Sequence, residues 1–338
     1  MPQRLLLLAV TASGALLGVQ ARVNGDLGSR LHSALDAAAV SFLGGSLVLV
    51  ALVILVARRR AGVARLRGTA TRWWWWLGGL GGAAVVAGTA QGVPQLGVAL
   101  VSVSIVAGTA TGGLVVDDIG LGPGGRQSPT VWRVAGSLLA VVAVALGAVG
   151  DRHAAVRPGL FALLFGAGAA SAVQQAANGR IRGAAMDATV AALVSFAGGT
   201  VALAAVVVAT GQVWHRHWPH EWWLYTGGLA GAVYIVLAAA VVHRLGVLTV
   251  SLATVAGQLV AAVCLDLVWP AAGTSLHAAT AVGAALTLVA VGVAAVGRRS
   301  RPGLAWPGDP APAPRRDAGG SERPRGPGPG VGRGTADR

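Results

Sequence analysis

The chain has 338 residues, of which 54% are hydrophobic and only 11% charged, and its mean hydropathy is +0.67. A water-soluble domain carries charge on about a quarter of its residues, so this composition excludes a soluble globular protein and makes lipid the solvent for most of the chain. The net charge is +14 and all 26 Lys/Arg positions are arginine, in short clusters between apolar runs; that is positive-inside placement, not a nucleic-acid-binding surface.

A helix crosses the hydrocarbon core with about 20 apolar residues. Ten stretches qualify, at roughly 4–22, 36–57, 74–93, 97–117, 131–149, 158–178, 188–211, 222–243, 246–269 and 276–297. The fold class expected is all-α, a polytopic membrane protein of about ten transmembrane helices. Arg4 followed by an apolar run resembles a signal peptide. No small-residue cleavage site precedes Gln20, Arg22 and Asn24, so the run reads as the first membrane helix. Short connections at Val93-Pro94-Gln95 and near Arg244 make sequential helices antiparallel neighbours. With the N-terminus cytoplasmic, fifteen loop arginines fall inside and five outside, which places both termini on the cytoplasmic side. The loop after the second helix, with Arg58, Arg59, Arg60, Arg65, Arg67 and Arg72, supplies most of that bias. Beyond Arg301 the sequence is rich in Pro, Gly and Arg and too poor in apolar bulk to offset its ordering entropy, so 301–338 is expected to be a disordered cytoplasmic tail.

The chain repeats itself. GALLGVQARVNG (Gly14–Gly25) matches GAASAVQQAANG (Gly168–Gly179), pairing Gln20 with Gln174 and Asn24 with Asn178 at an offset of 154. At the same offset VSFLGGS (Val40–Ser46) matches VSFAGGT (Val194–Thr200). At an offset of 149, LGGLGGA (Leu77–Ala83) matches TGGLAGA (Thr226–Ala232), Trp74 matches Trp223, and Gly97, Ser102, Gly108 and Asp117 match Gly246, Ser251, Gly257 and Asp266. Gln, Asn, Asp and Trp are scarce here, so their coincidence carries the weight. The expected units are 1–150 and 151–300, each of five helices. An odd number inserts the second copy from the opposite side of the membrane, and such inverted repeats recur in secondary transporters.

These residues resemble the drug/metabolite transporter superfamily and, within it, the YdcZ-like family of inner-membrane exporters. The resemblance rests on Gln-x-x-x-Asn ending the first helix of each half, VSF-x-GG in the second, W-x-x-x-GG-x-x-G in the third, PQLG (Pro94–Gly97) opening the fourth and VVDDIGL (Val115–Leu121) closing it. It implies ten helices, cytoplasmic termini, a substrate path between the halves and no settled substrate; a homodimer is compatible with it. Two departures stand out. Gly257-Gln258 fits the expected Gly-Gln of the fourth helix, but Thr109 follows Gly108; and the second half has His243-Arg244 where the first has Pro94-Gln95.

A polar side chain in hydrocarbon costs free energy unless it finds a partner or faces water. Gln20 and Asn24 share one helix face, as do Gln174 and Asn178. Both pairs are candidates to line the substrate path, against the alternative of hydrogen bonds between helices, worth roughly 0.6 to 2 kcal/mol each. Gln91 and Gln258, read as lying well inside apolar helices, carry the same two readings. Asp117 and Asp266 sit near helix ends and are candidates for proton coupling, against the reading of interfacial anchors or partners of a loop arginine. Trp73–Trp76 and Trp222, Trp223 and Tyr225 read as an aromatic belt opening the third helix of each half. His215, His217 and His220 with Glu221 fit no strong zinc spacing, so no metal is expected. Cys264 reads as a small buried hydrophobe. No Gly-Lys-Ser/Thr follows the glycine clusters, which excludes an ATP-driven pump of that type. The function expected is secondary transport of a small organic metabolite or drug, outward, by alternating access and open to proton coupling. No cofactor, enzyme activity or nucleic-acid partner is expected; the partners are the substrate and membrane lipid. The rival readings are a membrane scaffold or a lipid-acting membrane enzyme, the latter needing converging His, Asp, Glu or Ser deep in the spans.

Overall fold

A computed structural model describes residues 3–148, 157–210, 218–245, 247–270 and 277–296. These fold into eleven α-helices and one 3-10 turn, with no strand among the described residues. In order they are α1 (Gln3–Leu31), α2 (Ala34–Leu55), α3 (Ala57–Arg67), α4 (Trp73–Trp76), α5 (Gly78–Asp118), α6 (Val131–Ala148), α7 (Pro158–Ala185), α8 (Ala188–Ala209), the 3-10 turn Trp222–Tyr225, α9 (Gly227–Leu245), α10 (Val247–Val268) and α11 (Ala278–Val296). The 301–338 tail, His215 and His217 lie outside the described residues.

The 41 residues of α5 would run about 60 Å as one straight helix, twice the hydrocarbon thickness. The chain doubles back instead at Gly97, whose φ of 78° is open to glycine and costly to other residues. The two arms, 78–96 and 97–118, are therefore two spans, and the ten expected spans correspond to α1, α2, these arms and α6 to α11. Six helices, counting α5 once, are long and apolar enough to cross a membrane, and α10 and α11 contain shorter apolar stretches. The outer faces are apolar as lipid requires, with Leu47, Leu138 and Val201 all exposed.

Several boundaries move from those expected. The turn falls at Gly97, not at Val93-Pro94-Gln95, and Pro94 is carried within the first arm. α1 continues past 22 to Leu31, because Arg22 and Asp26 pair one turn apart on the same helix. The two tryptophan groups form separate short turns before α5 and α9. The arginine-rich loop after α2 contains an eleven-residue helix, α3. Cys264 is exposed. It lies on the outward stripe of α10 with Val260 and Leu267, while Leu259, Ala262 and Asp266 face inward. In lipid both faces are apolar, so hydrophobicity does not tell them apart.

The helices meet through contacts that recur at the two sequence offsets. α1 packs on α10 and α9 as α7 packs on the two arms of α5; α2 packs on α9 as α8 packs on the first arm; α6 packs on α11. The reversal from α1 to α2 uses His32 at φ 51°, and that from α7 to α8 uses Met186 at φ 53°, 154 residues on. Each is followed by a capping side chain: Ser33 Oγ accepts from Asp36 N–H at 3.1 Å, and Asp187 Oδ1 accepts from Thr189 N–H at 2.7 Å. Between the halves, the Phe42 and Phe196 rings lie 5.0 Å apart, and the Ser46 and Thr200 hydroxyls are hydrogen-bonded at 2.9 Å. The second arm of α5 is the centre of the bundle, with every residue from Leu96 to Gly108 buried.

Close approach at glycine makes these crossings possible. A methyl group on Gly228 would collide with the Ser41 carbonyl oxygen, and one on Gly79 with that of Ser195. Gly228→Ala should therefore force α9 from α2 and destabilise the protein by about 1–3 kcal/mol, as overpacking does. Gly44→Ala, whose added methyl would meet nothing within 4 Å, should be neutral. Thermal denaturation in detergent measures both; equal melting temperatures for the two variants would refute the packing.

Candidate functional site

The polar residues of the spans gather in two clusters, one in each half. In the first, Gln20 and Asn24 project from α1 against the glycines that open α9 and against Ser41 of α2. A methyl on Gly231 would lie 3.0 Å from the Gln20 amide nitrogen. Asn24 is 1% exposed and Ser41 2%. Neither polar atom of the Asn24 amide, nor the Ser41 hydroxyl, has a hydrogen-bond partner. In the second, Gln174 and Asn178 project from α7 against the glycines that open α5 and against Ser195 of α8. Here the bonds are made: Gln174 Nε2 donates to Ser195 Oγ at 3.2 Å, and Ser195 Oγ donates to Asn178 Oδ1 at 2.8 Å. Ser41 and Ser195 stand 154 residues apart. The same three residue types thus occupy matching positions, with the network closed in one half and open in the other.

Ser41 and Ser195 are additions to the sequence-derived set. They lie inside the VSF-x-GG repeat, and the signal that would have found them is a hydroxyl kept at one offset on a face otherwise apolar. The Phe42–Phe196 pair stands between the clusters. Phe42 reaches within 3.2 Å of a methyl placed on Gly82, the glycine that Gln174 also abuts.

The remaining candidates separate. Gln258 is half-buried on α10. Thr109, where the repeat led one to expect an amide, bonds the Ser171 hydroxyl at 3.0 Å and the Gly168 carbonyl at 3.1 Å, so a hydroxyl supplies the polar contact there. Gln91 lies within the first arm of α5, as expected, but is exposed, on the outward stripe with Leu80 and Ala84. Its backbone carbonyl accepts from Gln95 Nε2 at 2.6 Å, and the fold does not bring it to either cluster.

Both carboxylates are engaged. Asp266 is buried at the break in α5, where Oδ1 accepts from Val98 N–H at 2.8 Å and Oδ2 from Ala99 N–H at 2.7 Å. It caps the start of the second arm, where unsatisfied N–H groups and the helix dipole favour a negative charge. Asp117 pairs with Arg133. At the Asp266 end of the bundle, buried Arg22 pairs with Asp26, donates to the Trp269 carbonyl at 3.0 Å and stacks 4.8 Å from the Trp269 ring centroid. Trp269 in turn meets the Trp223 ring edge-on at 5.0 Å. Arg30 lies over Trp223 and pairs with Glu221. The Glu221 carboxyl is held below its ordinary value, first by its own backbone N–H and then by Arg30. Among the described residues no cluster of His, Cys, Asp and Glu is placed to hold a metal.

Asp266→Ala would leave two buried N–H groups without an acceptor, at about 1–3 kcal/mol for a buried donor left unsatisfied. Asp266→Asn keeps one acceptor oxygen and should cost less. Melting temperatures of purified variants should rank wild type, Asn, Ala; an Ala variant as stable as wild type would remove Asp266 from the role of cap.

A protein-family model described as "Putative inner membrane exporter, YdcZ" matches the chain in two regions, residues 5–146 and 159–293. No curated protein matches it. The matched regions take in both polar clusters, both tryptophan turns and the Asp266 cap, and together they cover well over half of the chain. The chain belongs to the YdcZ family of inner-membrane exporters, and is a multi-pass inner-membrane protein of the transporter kind.

Proposed function

We propose that the protein is a secondary transporter that exports a small organic molecule by alternating access between two inverted halves, 1–150 and 151–300, with both termini in the cytoplasm. The substrate path runs along the α1 and α7 faces that carry Gln20, Asn24, Gln174 and Asn178, joined by Ser41 and Ser195, with Gln258 beside it. The observation that carries this reading is the pair of matching clusters in opposite states. Two equivalent halves that exchange roles differ from one another in any one conformation, and here the difference falls on whether the cluster is hydrogen-bonded. In the orientation proposed from the arginine bias, the unbonded cluster, buried in this conformation, lies toward the periplasmic side and the bonded, half-buried one toward the cytoplasm. An open set holding amide donors and amide and hydroxyl acceptors suits a neutral polar group on the substrate.

Proton coupling, if the transporter uses it, falls to Asp266, the carboxylate at the helix break. Neutralising it would weaken the bonds that hold the second arm of α5, so coupling and conformational change would share one group. The rivals, a scaffold or a lipid-acting enzyme, predict no dependence of small-molecule binding on the two glutamines.

The first test is a thermal-shift screen of the purified protein in detergent against metabolites, amino acids and cationic drugs at two pH values. A ligand of the folded state at a hundred times its Kd stabilises by about 2.7 kcal/mol, so a hit should raise the melting temperature clearly. That shift should vanish in Gln20→Leu and in Gln174→Leu; a hit retained by both would take the amides out of the path. A second measurement needs no ligand. Asn178→Ala breaks an existing interhelical bond and should cost about 0.6 to 2 kcal/mol, whereas Asn24→Ala breaks none in this conformation and should cost less. Equal destabilisation by the two would argue that both networks are closed in the resting protein.

A further inference from the structure

The helix α3 has no place in that path. It follows α2 after a break at Val56 and packs with Leu66 and half-buried Val63 on Ile181, Ala185 and Val190 of α7 and α8. The helical period puts Arg59, Gly62, Val63 and Leu66 on this packed face. Arg58 and Arg65 then flank it on one side, Arg60 and Arg67 on the other, and Ala61 and Ala64 point away from the bundle. All four flanking arginines are exposed. The helix therefore lies against the bundle with cations spread to both sides.

Its neighbours fix its depth. On one side α2 ends in the exposed apolar residues Ile54 and Leu55, which belong in hydrocarbon. On the other comes the α4 turn, with Trp73 76% exposed and Trp76 46%; exposed tryptophans beside a span sit at headgroup level. Between these markers α3 occupies the interface itself.

The charge there is unbalanced. No Asp or Glu occurs between Asp36 and Asp117, and among the described residues no carboxylate pairs with any arginine from 58 to 72. Arg60 and Arg65 each give one nitrogen to a backbone carbonyl, those of Ile54 and Ala185. Arg59 Nη1 is removed from solvent and bonded to nothing. Arg58 and Arg67 are exposed and make no ion pair among the described residues; a guanidinium so placed suits an anionic acceptor with several oxygens, and a phosphate diester fits. The matching stretch of the second half, 206–221, holds one arginine, three histidines and a glutamate, so the surface is no part of the repeat.

We propose that α3 and the adjoining tryptophan turn form a binding surface for anionic phospholipid headgroups, with the exposed Arg58 and Arg67 as the phosphate-binding residues. Arginines near an anionic surface add their attraction to it, so the two acting together distinguish an anionic lipid from a zwitterionic one. Anchored in this way, α3 ties the junction of α2 and α5 to one face of the membrane while the helices behind it remain free to move.

The test uses the full-length protein purified in detergent and supplemented with dioleoyl phosphatidylglycerol or dioleoyl phosphatidylcholine at equal concentration. Phosphatidylglycerol should raise the melting temperature by several degrees more than phosphatidylcholine. Native mass spectrometry should show at least one phosphatidylglycerol retained per chain. The double variant R58Q/R67Q should lose most of this difference, and R58K/R67K, which keeps the charge, should keep most of it. Equal shifts from the two lipids, or a glutamine variant that keeps the full difference, would overturn the proposal. Inorganic phosphate reproducing the shift would also overturn it, because the surface would then be a small-anion site. Should the glutamine variant fail to fold, the wild-type protein still decides: 0.5 M NaCl should shrink the phosphatidylglycerol-specific shift by screening, and a shift indifferent to salt would rule out headgroup electrostatics.

Discussion

Lipid removes the force that assembles soluble proteins. Hydrocarbon tails are as apolar as leucine, so two helices gain nothing from hiding leucine against each other. What remains is close packing, and close packing needs backbones that touch. The paired glycines supply this at the centre of the fold, where Gly228 meets the Ser41 carbonyl and Gly79 the Ser195 carbonyl. The same carbonyls belong to the serines of the polar clusters. The crossings that hold the halves together are thus also the places where polar side chains are brought into reach of one another, and the fold and the candidate path share one set of contacts.

The second constraint is that a backbone N–H in hydrocarbon must find an acceptor. A helix that turns back inside the bundle frees several at once. Gly97 permits the turn, and the Asp266 carboxylate takes the two N–H groups that follow it. Asp266 comes from α10, so the break in one half is closed by a residue from the other. Its sequence counterpart, Asp117, is spent on Arg133 beside it. Equivalent positions have acquired different partners, which is how a repeat of nearly equal halves comes to be asymmetric in its joints.

Hydropathy made the ten spans legible because the bilayer sets one length for all of them, and the repeat was legible because rare polar residues mark it. Where the sequence misled, the cause was local. Val93-Pro94-Gln95 has the composition of a loop, yet proline is tolerated near the end of an arm and the true reversal belongs to the next glycine, Gly97. The arginines after α2 read as a solvated connection, although Gly62, Val63 and Leu66 repeat at helical spacing among them. Cys264 was misplaced because in lipid the outward face of a helix is as apolar as the inward one, so an isolated thiol gives no sign of which way it points. Ser41 and Ser195 were present in the repeat but passed over, since serine is common and only its position against the glycines gives it meaning.

The asymmetries line up with one another. The arginine surface, the closed Gln174–Ser195–Asn178 network and the Asp117–Arg133 pair occupy the end of the bundle where α2 finishes and α5 begins. The open Gln20–Ser41–Asn24 cluster, the capped break at Gly97 and the Arg22–Trp269–Trp223–Arg30 stack occupy the other. If the halves are related by inversion, as proposed, a perfect repeat would make the two ends interchangeable. Here one end combines the arginines of α3, the Asp117–Arg133 pair and a finished hydrogen-bond network, while the other stacks its arginines on aromatic rings and leaves the Asn24 amide and the Ser41 hydroxyl unsatisfied. A buried amide and hydroxyl without partners raise the free energy of the conformation that contains them, so the end holding Asn24 and Ser41 is where the least work is needed to reach a second arrangement. Under the proposed alternating access, a cost stored at one end and not across the whole interface would let the helices rearrange around Gly97 without unpacking the glycine crossings at the centre.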